Sequence, residues 1–307
     1  MIAVITLNPA IDKLCETSNL KVGEVNRIEN VRLIPGGKGI NVARTLRILG
    51  EEVIVSGFLG KENSEIFENE FKSFFMDNHF VMVDGYTRTN TNIKSEGAMT
   101  EILEPGFSVN SDKIGLFNKE YDTIISGVKA VIISGSICQD AEPSLIARMI
   151  DEANQIGARV ILDTSGDNLK AGLEAKPYFI KPNKRELETL LGMELKDDEI
   201  KDKAREVLER YGLGEMVVSL GEDGFIYLDG KNCFKVTGQK IDAISTVGCG
   251  DTLVGAYAHA LSAQMEPDEK LKLMYSASAA SALNIKGGVW DENDRKDISK
   301  NVVITTI

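Results

Sequence analysis

Short apolar runs alternate with helix-length amphipathic stretches along most of this chain, and that alternation restricts its fold more than any other feature. The runs at 2–7, 53–57, 130–134, 159–163, 178–180 and 216–220 are rich in β-branched residues and apolar on both faces. Strands of that kind are covered on both sides, as in parallel sheets. Between them, 39–49, 64–77, 143–157, 184–191 and 197–211 have the length and pattern of crossover helices, and 250–264 and 268–285 add two more. The expected fold class is α/β: a doubly wound, mostly parallel sheet flanked by helices. Two segments, 12–35 and 84–104, break the rhythm by reading as extended, polar and alternating. Ligands in such folds sit beyond the carboxyl ends of the strands, so a small sheet built from these segments would cover that edge as a lid. No linker or repeat divides the 307 residues, which points to one domain carrying a β lid.

Charge narrows the partners. With 35 basic and 47 acidic residues the net charge is −12, which disfavours nucleic acid and anionic membranes. Cys15, Cys138, Cys233 and Cys249 lie far apart with no C-x-x-C pair, as expected of reduced thiols in a cytoplasmic protein. His79 and His259 are the only histidines, too few for a zinc site or a Ser-His-Asp triad to be the natural reading. The first residues read as a strand rather than a signal peptide, and no apolar stretch approaches membrane-spanning length.

The chemistry-bearing signals fall between the predicted elements. In Ser245-Thr246-Val247-Gly248-Cys249-Gly250-Asp251-Thr252 an acid stands directly behind a small-residue turn and before an Ala-rich helix. Helix initiation there would aim the N–H groups of Gly248, Cys249 and Gly250 at one anion-attracting spot beside the Asp251 carboxylate. That layout suits a hydroxyl losing its proton as it attacks a phosphoryl group, and equally suits a tight turn with an N-cap. Gly36, Gly37, Lys38, Gly39 and Asn41 form a second signal: glycines for close backbone approach, a mobile cation, and an amide for hydroxyls. It matches neither a Walker A loop nor a dinucleotide fingerprint, which also weighs against a dehydrogenase. Asp12, just past the first strand, could accept sugar hydroxyls or simply cap a turn. Arg88 and Arg27 on the expected lid segments suit a phosphate or plain solvation. Asn183 and Glu186 share one helix face, where they could hold magnesium through water or form a capping box. Residues 219–224 look like a glycine turn able to lie against a nucleotide.

Asp12, Gly36-Gly37-Lys38-Gly39-x-Asn41, Lys181-Pro182-Asn183-x-x-Glu186, Ser219-Leu220-Gly221 and Thr246-Val247-Gly248-Cys249-Gly250-Asp251 occur in the order found in the PfkB, or ribokinase-like, carbohydrate kinases. The chain resembles that family over nearly its whole length, and its Gly-Gly-Lys-Gly-Ile-Asn-Val-Ala form and Ser134-Gly135-Ser136 are similar to the phosphosugar branch. The resemblance implies a ribokinase-like fold and phosphorylation of a ketohexose monophosphate with ATP and Mg2+. It implies Asp251 as the base and Gly248, Cys249 and Gly250 as the anion hole. Asp12, Gly36, Gly37, Lys38 and Asn41 would bind the sugar, with Lys38, Arg88, Ser136 and Arg27 near its phosphate. Lys181, Asn183, Ser219, Gly221, Gly224, Thr246, Val247 and Asn284 would meet the nucleotide, and Glu186 with Asn183 the metal. Cys249 replaces the usual Ala or Ser, and Ile137-Cys138-Gln139 replaces the usual Leu-Pro after Ser136. A silent sugar-phosphate sensor would be expected to have lost the Gly-x-Gly-Asp or the lysine, and both are present. An exposed lid edge points to a homodimer.

Overall fold

The computed structural model describes residues 1–307. The chain opens with β1 (Ile2–Thr6), then β2 (Ala10–Glu16) and β3 (Asn30–Gly36), before α1 (Lys38–Ile48) and β4 (Val53–Gly60). Helix α2 (Glu65–Ser73), β5 (Asp77–Val83), β6 (Thr89–Ser95), β7 (Ala98–Ile102) and α3 (Ser111–Ile125) follow. Next come β8 (Ala130–Ser134), α4 (Ser144–Gln155), β9 (Arg159–Asp163), α5 (Gly166–Glu174), β10 (Phe179–Ile180), α6 (Lys184–Leu191) and α7 (Ile200–Tyr211). The last part holds β11 (Glu215–Ser219), β12 (Phe225–Asp229), β13 (Cys233–Thr237), α8 (Cys249–Ser262), α9 (Pro267–Ser281), α10 (Glu292–Ser299) and β14 (Val303–Thr306).

Ten strands form one sheet in the order β14-β13-β12-β11-β10-β9-β8-β1-β4-β5. From β11 to β5 every neighbour is parallel, while β12, β13 and β14 add an antiparallel edge. The central strand β1 shows why its sequence is apolar throughout. All five residues are buried; Ala3 and Ile5 enter a core with α3, α4, α5 and α7, and Ile2 and Val4 enter another with α1, α2, α8 and α9. A strand covered on both faces has no position for a polar residue.

A second sheet runs β3-β2-β6-β7, with β2 and β6 parallel and the outer pairs antiparallel. It leaves the main sheet at the carboxyl end of β1 and returns into α1, then receives a second excursion between β5 and α3. Both excursions begin at strand carboxyl ends, so the small sheet stands over that edge.

The structure departs from the sequence expectation in several places. The helix expected at 64–77 stops at Ser73 because Phe75 adopts a left-handed φ of 53°, and Asp77 then starts β5. The helix expected at 268–285 ends four residues early, at Ser281. Helices α3, α5 and α10 and strands β12, β13 and β14 were not anticipated. No helix is long and apolar enough to cross a membrane, and all four cysteines are free.

Phe58 on β4 and Phe117 on α3 are fully buried with ring centroids 5.2 Å apart, fastening that helix to the sheet. Phe58→Ala should lower unfolding stability by about 3–5 kcal/mol, seen as a reduced urea midpoint with little change in slope. A change under about 1 kcal/mol would show that the two rings do not share a rigid core.

Candidate active site

The carboxyl ends of β1, β8, β9, β10 and β11 and the amino ends of α1 and α8 meet at one edge, the place where doubly wound sheets bind ligands. Helix α8 enters it through a turn made possible by Gly248, whose φ of 84° and ψ of −3° suit the third position of a tight turn. A Cβ on Gly248 would lie 2.6 Å from Gly287 Cα, so neither backbone conformation nor space admits a side chain. The turn carries the Cys249 N–H back to Thr246 O at 3.4 Å. The N–H groups of Gly248, Gly250 and Asp251 have no hydrogen-bond partner within the protein. The expected trio of Gly248, Cys249 and Gly250 is thus shifted, because turn closure takes up the Cys249 N–H and helix initiation leaves that of Asp251 free.

Asp251 is 7% exposed, and its Oδ2 accepts from Asn41 Nδ2 at 2.8 Å. Burial pushes its carboxyl up to about 6, while Lys38, the Asn41 bond and Lys181 pull the other way. The Cys249 thiol is raised to about 12 by burial and faces Ser245 O at 3.9 Å, so at neutral pH it is a neutral packing group.

Two lysines converge on this spot around an acid. Lys38, at the start of α1, and Lys181, just after β10, place their Nζ atoms 3.5 and 3.4 Å from Asp163 Oδ1. Burial works to raise the Asp163 carboxyl, yet Lys181 and Lys38 hold it below its ordinary value. Asp163 in turn pulls the Lys38 ammonium upward against burial, with Asp251 and Glu186 adding to the effect. Sequence reasoning did not single out Asp163. The available signal was its place as the last residue of a buried parallel strand, where an acid has no structural reason to be. A Cβ on Gly250 would stand 3.3 Å from Lys181 Nζ, so this lysine lies against the anion-binding turn.

The sugar-side candidates lie between the sheet edge and the small sheet. Asp12 on β2 packs flat on Gly36: a Cβ there would be 2.0 Å from its Oδ2. Its Oδ1 accepts from Asn90 Nδ2 at 3.3 Å, and burial raises its carboxyl against Asn90, Arg44 and Arg88. Gly37 caps α1, where its own Cβ would sit 3.0 Å from Pro9 Cα. Arg88 donates to Asn8 O at 3.0 Å, Glu104 O at 2.9 Å and Ser136 Oγ at 3.4 Å, so Arg88 and Ser136 are neighbours. Asn8 also donates to Ser136 Oγ at 3.2 Å, an organising role that sequence reading missed. Arg27 is not brought to this group; it is exposed in the β2–β3 connection, and only its carbonyl is engaged, by Thr17 Oγ1.

On the other side, Asn183 and Glu186 form a complete capping box at α6: Asn183 Oδ1 accepts from the Glu186 N–H, and Glu186 Oε2 from the Asn183 N–H. Glu186 Oε1 makes no hydrogen bond within the protein, so the cap leaves one carboxylate oxygen for the site. An open cleft of about 720 Å³ is lined by Asn183, Arg185, Ser219, Gly221 and the carboxyl-terminal Ile307. Gly224 supports this turn, where a Cβ would meet Val236 O at 2.0 Å. Thr246 is exposed at the turn before α8, and Asn284 follows α9 with its amide on Ala280 O. Val247, expected toward the nucleotide, instead lines the small cavity beneath the second sheet with Asp12 and Asn41, because the turn at Gly248 directs it there.

A family model described as pfkB family carbohydrate kinase matches residues 4–288. The 1-phosphofructokinase of Haemophilus influenzae is 33% identical over 100% of this chain and 98% of its own length. That of Vibrio cholerae is 31% identical, over 100% of this chain and 97% of its own. The crystal structure of phosphofructokinase-2 from Escherichia coli in complex with substrates and products superposes with a TM-score of 0.89 at 27% identity, covering 97% of this chain and 98% of that one. The family match and the full-length relatives agree with the fold, and this chain belongs to the pfkB family of carbohydrate kinases.

Proposed function

We propose that this kinase transfers the γ-phosphoryl group of ATP to the 6-hydroxyl of D-fructose 1-phosphate, giving fructose 1,6-bisphosphate and ADP. The observation that carries the reaction is the buried Asp251 carboxylate beside three unpaired N–H donors at a helix amino terminus. Asp251 takes the proton of the acceptor hydroxyl as that oxygen bonds to phosphorus and the bond from phosphorus to the departing ADP oxygen breaks. Charge spreading over the transferred oxygens meets the N–H groups of Gly248, Gly250 and Asp251 and the ammonium groups of Lys38 and Lys181. Fixed donors of this kind need no reorganisation during the step, which is their advantage over water.

The sugar would lie on Asp12, Gly36, Gly37 and Asn41, with its existing phosphate at Arg88 and Ser136, away from Asp251. The 1-phosphofructokinase activity of the two bacterial relatives supports fructose 1-phosphate as the acceptor. ATP would occupy the cleft of Asn183, Ser219, Gly221 and Gly224, reached by Lys181, Thr246 and Asn284. Magnesium fits the oxygen donors the site leaves unengaged. Glu186 Oε1 is free, Asp163 Oδ2 is buried without a partner, and the available ligands are hard oxygens. No three acids, histidines or cysteines cluster, so Glu186 and Asn183 would hold the ion through water and phosphate oxygens. When bound, it would neutralise phosphate charge.

The small sheet would act as a lid that excludes water. Its edge strand β3 exposes Val31 and Leu33, which alternate on one face at 53% and 56% exposure, and Leu103 beyond β7 is 60% exposed. We infer a homodimer joined through these lids. With four free thiols, the enzyme would work in the reducing cytoplasm.

Steady-state kinetics with fructose 1-phosphate, tagatose 6-phosphate and fructose 6-phosphate test the substrate. The highest kcat/KM should fall to fructose 1-phosphate, and a preference for tagatose 6-phosphate would make this a tagatose-6-phosphate kinase. Asp251→Asn should lower kcat by three or more orders of magnitude, on the order of 4 kcal/mol of transition-state stabilisation, with ATP still bound. Because the base must be ionised and burial sets it at about 6, turnover should fall as pH drops through about 6. In sedimentation the enzyme should run as a dimer and Leu33→Lys should shift it toward monomer; a monomeric wild type would refute the lid interface.

A further inference from the structure

Arg44 stands one turn beyond Asn41 on α1 and is fully buried, the largest side chain with no access to solvent. A guanidinium in such a place needs partners for every donor, and each partner here belongs to a different part of the site. Nε donates to Glu70 Oε1 on α2, Nη1 to Asn41 Oδ1 at 2.7 Å and to Gly287 O at 3.2 Å, and Nη2 to Pro35 O at the end of β3. Gly287 belongs to the segment that packs against Gly248, and Pro35 precedes the glycine on which Asp12 lies.

The contact with Asn41 has a chemical consequence. An asparagine amide offers oxygen on one side and N–H on the other, and rotation by half a turn exchanges them. Arg44 can only donate, so it fixes the Asn41 oxygen toward itself and the Nδ2 group toward Asp251. The Asn41–Asp251 bond of 2.8 Å then occupies Oδ2, while Oδ1 makes no hydrogen bond within the protein. A flipped amide would present oxygen to carboxylate, a repulsion relieved only by protonating the acid.

We propose that Arg44 is a positioning residue for phosphoryl transfer: it locks the Asn41 amide so that Asp251 is held by one oxygen and kept ionised for proton abstraction by the other. The proposal rests on the kinase reading for its catalytic meaning. Glu70 completes the device by anchoring Arg44, and Lys286 Nζ anchors Glu70 at 2.8 Å. The charged groups around Asp251 are Lys38 on α1, Asp163 at the end of β9 and Lys181 after β10, with the Cys249 thiol on α8 itself. Arg44 faces Glu70, Asp12 and Asp251, and Lys286.

Removing Arg44 alone would strand the Glu70 carboxylate, so the full-length test variant is Arg44→Met with Glu70→Gln, which deletes both charges and keeps the volume. Net local charge is unchanged, so a simple field effect on Asp251 largely cancels. Carbon NMR of the aspartate-labelled protein, with the Asp251 signal assigned by its loss in Asp251→Asn, reads the carboxyl titration without any turnover. We expect the Asp251 midpoint to rise by about one pH unit, the acid limb of kcat to move up with it, and kcat to drop about twofold at pH 7 and nearly tenfold at pH 5, with KM for ATP unchanged. Asn41→Leu should produce at least the same shift, and adding Arg44→Met and Glu70→Gln to it should shift the midpoint no further. Should the charge-free pair not fold, Arg44→Lys keeps the cation but loses the fork, and should shift the midpoint in the same direction. Unchanged Asp251 titration in a folded variant, or shifts that simply add to that of Asn41→Leu, would overturn the proposal. If the midpoint moves while the wild type phosphorylates no sugar phosphate, the positioning stands and the kinase reading fails.

Discussion

Two ammonium groups share one buried carboxylate at this site, and the geometry of the proposed phosphoryl-transfer end depends on that sharing. Asp163 is 1% exposed, and it draws Lys38 from the front of the chain and Lys181 from behind β10 to the same point. Without it the two cations would repel each other. Lys181, 5% exposed, would lose its carboxylate partner, a kind of loss that costs about 3–5 kcal/mol in buried pairs. Lys38 is 38% exposed and would turn to water instead, taking its charge away from the anion-binding turn. The acid therefore acts on geometry first, by keeping two mobile chains in one place.

The same charge group separates two acids by role. Asp163 touches both lysines and is held below its ordinary value, while Asp251 receives an amide N–H and is pushed up to about 6 by burial. Acids driven apart by their surroundings are how one site keeps one carboxylate permanently charged and another ready to accept a proton. Here the division follows from which partner is at hand: lysines for Asp163, an asparagine for Asp251, the proposed base.

Much of this architecture could be read from residues. β1, β8, β9 and α6 were visible because strands covered on both faces leave no polar position, and because the Asn183 and Glu186 pair marks a helix start. The sheet edge β12-β13-β14 was not visible, since its pairing joins residues near 235 to residues near 305, and nothing local records that. Helix α2 was read too long because the left-handed turn at Phe75 leaves no compositional mark. At the site, glycines and charged residues within compact motifs stood out. Asp163, Arg44 and Asn8 did not, because each acts through partners distant in sequence, and a lone polar residue beside an apolar run does not announce its contacts. The metal and capping roles of Glu186 had been set against each other, yet the fold uses one oxygen for the cap and leaves the other free.

The Asn41–Asp251 bond spans 210 residues and the Arg44–Gly287 bond 243. No fragment that emerges early from a ribosome contains both members of either pair, and loop closure over such distances must await the last helices. Secondary structure and much of the core can thus form while the molecule is still inert toward ATP. A nascent chain that already carries Asp12, Asn41 and Arg88 still lacks the turn at Gly248 and the Asp251 carboxylate, so the long sequence separation itself makes activity the final property this protein acquires.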